Sequence, residues 1–203
     1  MSSKMKEEFY TEKRWLNWIN KVKDSKFKLS EADDNKNSGA VFIYIMDDVV
    51  LACLKVIARC EKEIITPEEA IGEVSAIRAI VFSEQESLGE DADLMFESLK
   101  TSLAAVFVSS QRYITGDFDR ESPIEELVAG AIAAEEKEDL DQAFDLLSQV
   151  GARVIGGENL PEIGDIPYCM TAELMDGIDA ISAAMIGDDS YKDDDGSEDS
   201  GED

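Results

Sequence analysis

The 203-residue chain carries 46 Asp and Glu against 19 Lys and Arg, a formal charge of -27, with 44% hydrophobic residues and no histidine. This size and apolar content suit one globular domain with tails and exclude a wholly disordered chain. The charge disfavours nucleic acid and anionic membranes as partners of the body, and the missing histidine removes His-based triads, proton shuttles, zinc fingers and Glu-x-x-His di-iron sites.

The charge is unevenly spread. Residues 1–30 hold eight basic and four acidic residues, whereas residues 31–203 hold eleven basic and 42 acidic ones. The expected organisation is a basic segment (1–30) with an amphipathic helix, an acidic helical domain (31–186) and an acidic tail (187–203). Such an acidic surface also keeps a protein soluble at high internal salt, which needs no partner.

Helical periodicity dominates, so the expected class is all-α, a compact bundle of six or seven helices. The first helix is expected over about Glu8–Lys23. Trp15, Trp18, Ile19 and Val22 recur at i, i+3, i+4 and i+7 as one apolar stripe, with Lys13, Lys21 and Lys23 off it. Three readings fit the stripe: docking on the body, anchoring a protein partner, or an RNA or membrane arm. The second helix, about Gly39–Glu63, is apolar except for a strip of Asp48, Ala52, Lys55, Arg59 and Lys62, and reads as the central helix. Asp47 and Asp48 interrupt its apolar run, which is too short to span a membrane. Arg78 or Arg112 is their expected partner.

Thr66, Pro67 and Glu69 make a capping box that opens the third helix, with Ile71, Val74, Ile77 and Val81 inward. The fourth starts near "SLGE" (87–90) and ends at Gly116 as a C-cap. "SPIE" (122–125) reads as another capping box, followed by the fifth and sixth helices. Residues 122–155 resemble one tetratricopeptide-like hairpin without a second copy. A loop at 156–167 precedes the seventh helix, which carries Leu174, Ile178, Ile181 and Met185. The tail cannot bury a core and is expected to be disordered.

Cys53 and Cys60 stand two helical turns apart, about 10.5 Å, beyond disulfide reach. With Cys169 they form an odd set without a CxxC pair. Reduced core thiols and a cytoplasmic setting are the expectation, and the start lacks an apolar signal core.

Carboxylates remain as candidate chemistry. Glu135 with Glu138, Glu173 with Asp176, and Asp47 with Asp48 have spacings at which helical nucleotide hydrolases hold Mg²⁺. A solvated face explains most such spacings in so acidic a chain. "GARVIGGEN" (151–159) matches no phosphate-binding glycine motif and reads as a helix end.

The segments "FYTEKRWLNWINKVK", "MDDVVLACLKVI" and "SLKTSLAAVF" resemble an uncharacterised family of acidic archaeal proteins, domain of unknown function 2150, found in methanogens and halophiles. The resemblance spans about residues 8–186. It implies an archaeal cytoplasmic protein and carries no activity, cofactor or site residue. The functional expectation is a non-enzymatic adaptor or regulatory protein that binds a protein partner through Trp15, Trp18, Ile19 and Val22 or an apolar groove. The alternatives are an Mg²⁺-dependent nucleotide pyrophosphatase-like hydrolase and nucleic-acid binding through the basic arm. No cofactor is expected, and the oligomeric state is open.

Overall fold

The computed structural model describes residues 8–29, 39–161 and 169–187. Among these residues lie seven helices and no strand: α1 (Glu12–Ser25), α2 (Ala40–Glu61), α3 (Pro67–Val81), α4 (Glu90–Thr115), α5 (Ile124–Glu135), α6 (Leu140–Ile155) and α7 (Met170–Ile186). The all-α bundle is as the periodicity requires. The expected acidic tail, apart from Gly187, lies outside the described residues.

Local chemistry sets the ends. Thr11 is extended, and its hydroxyl accepts from Arg14 N–H at 3.1 Å, so α1 opens later than the expected Glu8 start. Phe9 and Tyr10, just before this cap, are buried in the core. The Thr66 box is complete: Glu69 N–H donates to the Thr66 hydroxyl (3.2 Å) and Thr66 N–H to the Glu69 carboxylate (2.8 Å). Thr66→Ala is therefore expected to cost about 1 kcal/mol in urea denaturation, and a loss under about 0.3 kcal/mol would show that the box is idle. Gly116 ends α4 in the left-handed region at φ 74, where a side chain is strained.

The expected "SPIE" box does not form. Pro123 takes the N-cap position, and the Ser122 hydroxyl donates instead to Asp119 at 2.6 Å. The polar strip assigned to α2 is also corrected. Ala52 is buried and Asp48 is largely covered, whereas Ile43, Tyr44, Asp47 and Leu51 are exposed. Of the expected core thiols, Cys53 is buried and its pKa is pushed up to about 12 by that burial, while Cys60 and Cys169 are half-buried; none is in a disulfide.

The long α4 packs against α2, α3, α6 and α7, and α5 and α6 form the expected hairpin. The core runs along this spine through Phe96, Leu103 and Phe107, meeting Leu147 of α6 and Leu174, Ile178 and Ile181 of α7. Two crossings are tight because a glycine faces α4. A Cβ on Gly177 would stand 2.9 Å from the Ser102 carbonyl carbon and closer to its oxygen. One on Gly151 would stand 2.8 Å from Ser109 Cβ and closer to its hydroxyl. At the edge of the bundle, α1 lies against α2 and α3.

Candidate functional site

The α1 stripe divides on docking. Trp15 and Val22 are core residues, 4% and 1% exposed, and Trp15 meets Phe96 edge-on with ring centroids 6.1 Å apart. Trp18 and Ile19 are half-buried beside them. Lys21 covers one face of the Trp18 ring at 4.0 Å.

Asp48 fastens this helix to α2. Trp18 Nε1 donates to Asp48 Oδ2 at 2.7 Å, Arg14 Nε donates to the same oxygen at 3.0 Å, and Arg14 Nη2 pairs with Oδ1. The guanidinium also stands 5.2 Å from the Tyr10 ring centroid. Burial, then the Asp48 charge, pushes the Tyr10 phenol above its ordinary range. The partners expected for Asp48 are engaged elsewhere: Arg78 lies over the Phe82 ring, and Arg112 binds Asp145, Ser148 and Asp117. Sequence spacing cannot reveal a contact across 34 residues. Asp48→Ala would leave three N–H donors, on the side chains of Arg14 and Trp18, without their shared acceptor. It is expected to cost about 2 kcal/mol and to speed hydrogen exchange in α1 selectively; unchanged exchange would show that the clamp does not hold the helix.

The other carboxylates do not converge. No group of three or more Asp, Glu or Cys positioned for a metal occurs among the described residues. Asp47 is exposed on α2, and partial desolvation raises its pKa. Glu138 is exposed at φ 62 in the α5–α6 link. Glu173 is half-buried and Asp176 exposed on α7, where desolvation, then Asp179 and Glu173, raises the Asp176 pKa.

Glu135 acts as a cap instead. Its two oxygens accept from the N–H groups of Met170 and Thr171, each at 2.8 Å, at the start of α7. Burial opposes its charge, but these hydrogen bonds outweigh burial and hold its pKa below the ordinary glutamate value. A lowered folded-state pKa contributes stability above the ordinary carboxylate value, lost as pH falls through the folded value. The Tm difference between wild type and Glu135→Gln is thus expected to shrink between about pH 5 and 3. A constant difference would contradict it.

The α1 helix also builds one wall of a groove of about 590 Å³ between α1, the end of α3 and residues 83–88. Trp15, Leu16 and Ile19 line it from one side, Ile80 and Leu88 from the other. Glu12, Glu84 and Glu86 surround it with Lys23. Leu16 is 57% exposed. Two buried atoms on its walls, Trp15 Nε1 and Gln85 Oε1, have no hydrogen-bond partner. The sequence stripe includes Trp15 and Ile19 but passes over Leu16, whose position off the stripe was the available signal.

A family model described as "uncharacterized protein conserved in archaea (DUF2150)" matches residues 8–194. The chain belongs to this family. No curated protein and no solved structure matches it. The DUF2150 match includes all seven helices and every residue of the groove. Among the described residues, no helix is long and apolar enough to cross a membrane.

Proposed function

We propose that this DUF2150 protein is a non-enzymatic, cytoplasmic adaptor or regulatory protein whose α1–α3 groove receives an apolar segment with basic flanks from a protein partner. The observation that carries the reading is the groove itself. It exposes Leu16 and offers Ile19 in a recess of peptide-sized volume. Its acidic rim selects a cationic partner, and the net charge of -27 acts in the same direction over longer range. Trp15, a groove wall that is 4% exposed, and Val22, a core residue, serve to hold α1 in place rather than as the partner's main anchors.

The test places a photo-crosslinking amino acid at Leu16 and, as a control, at the exposed Leu140, in native-salt lysate. The expected result is one defined adduct from position 16 only, lost when Ile19→Asp is added. No adduct, or the same adducts from both positions, would overturn the reading.

A further inference from the structure

A second cavity, of about 450 Å³, opens where the last turns of α2, α4 and α6 meet. Its size falls in the range of small-molecule sites. The feature that sets it apart is the α4–α5 link, residues 116–123, which holds Phe118 and Arg120 in its wall.

That link is anchored at several points. Arg112 Nη1 donates to the Asp117 carbonyl at 2.9 Å, and Asp119 N–H donates to Gln149 Oε1 at 3.0 Å. The Asp119 carboxylate accepts from Glu121 N–H (2.7 Å), Ser122 N–H (3.0 Å) and the Ser122 hydroxyl (2.6 Å). The buried Arg153 of α6 bonds the Ser122 carbonyl. Phe118 stands between these anchors, nearly parallel to Tyr113 at 23° with centroids 6.4 Å apart. Arg120 places its guanidinium 4.6 Å from the Phe118 centroid. A Cβ at Gly156 would come 3.4 Å from the Tyr113 ring, so the glycine leaves room there.

The partners of each charge give the cavity its preference. Glu61 accepts from the Tyr113 hydroxyl at 2.5 Å. Glu158 is held by Arg153 through bonds of 2.9 and 2.6 Å. Both wall carboxylates and the buried arginine are therefore engaged. Arg120 is exposed and has no carboxylate partner among the described residues, in a chain where acids outnumber bases 46 to 19. An arginine stacked on an aromatic ring keeps its N–H edge available to a carboxylate or phosphate.

We infer that this cleft binds a small organic anion with a planar ring, its charged group on Arg120 and its ring against Tyr113 and Phe118. The net negative charge of the body opposes approach of an anion at low salt. At 1 M salt the screening length is about 3 Å, so only the local contacts count.

The experiment is calorimetric titration of the full chain in 1 M KCl. The whole probes are adenosine 5′-monophosphate and benzoate; adenosine and ribose 5-phosphate are the fragments that lack the charge or the ring. Saturable one-site binding of at least one whole probe is expected. Arg120→Gln and Phe118→Leu, each verified as folded by circular dichroism, should weaken it tenfold or more. Adenosine and ribose 5-phosphate should each bind at least tenfold more weakly than the nucleotide if that is the probe retained. Preference for the nucleotide assigns a phosphate, and preference for benzoate a carboxylate. Binding of neither whole probe, equal binding of adenosine and its monophosphate, or indifference to Arg120→Gln overturns the inference.

Discussion

Trp15→Ala is expected to remove about 4 kcal/mol of stability and, for a chain of this length, to lower Tm by about 8–16 °C. The indole is 4% exposed and meets Phe96, so alanine leaves a cavity beneath α1 that the neighbouring helices cannot refill. Trp15→Phe should be far milder. It keeps most of the ring volume and removes a buried N–H that has no acceptor. Trp18→Ala belongs between the two, since that side chain is half-buried but donates to Asp48. Urea denaturation of the three variants gives the ranking. A Trp15→Ala loss below about 2 kcal/mol would mean that α1 is not anchored by that ring. The same expectation makes Trp15 unsuitable for testing partner binding, because the fold would fail with the contact.

Gly177→Ala is the second large effect, expected at about 3 kcal/mol of destabilisation and about 6–12 °C in Tm. In isolation a helical glycine replaced by alanine gains about 1 kcal/mol. Here the added methyl collides with the Ser102 backbone, which cannot rotate away as a side chain would. The helices must separate, and the layer around Ile178 and Leu103 loosens with them. Gly72 in α3 supplies the contrast: it is exposed, and nothing lies within 4 Å of the Cβ it would gain. Gly72→Ala should therefore stabilise by about 0.5–1 kcal/mol. If Gly177→Ala stabilised the protein as Gly72→Ala is expected to, the close approach of α4 and α7 would be wrong.

Much of the scaffold was legible because its signals are local. Thr66 and Glu69 lie three apart, and Gly116 ends a long apolar stripe; each is satisfied within a few residues of itself. "SPIE" had the same appearance and failed because Asp119, outside the motif, takes the serine hydroxyl. The stripe of α1 was legible as a stripe, but not how deeply each member lies. That depth depends on Phe96 and Asp48, which periodicity does not bring into view. The same limit hid the exposed line of Ile43, Tyr44 and Leu51 on α2, because an apolar helix does not state which side its neighbours leave open. Of the groove, two residues were legible in the stripe; Leu16 and Leu88 come together only through packing. The second cleft was not legible at all, since Arg120 and Tyr113 gain meaning only from the fold of the intervening link.

The contact between Trp15 and Phe96 has a consequence for the order in which the protein is made. As the chain is synthesised, the Trp15 ring must wait for a partner eighty-one positions further along. At typical synthesis rates of about 5–20 residues per second, that delay is about 4–16 s. During it, α2 and α3 already offer part of the surface that receives α1, Asp48 included, but the aromatic partner of Trp15 is still missing. The lysines and Arg14 of residues 1–30 favour hydration of that segment meanwhile, so the charges that mark it as unlike the remainder are also placed to oppose premature association of a growing chain.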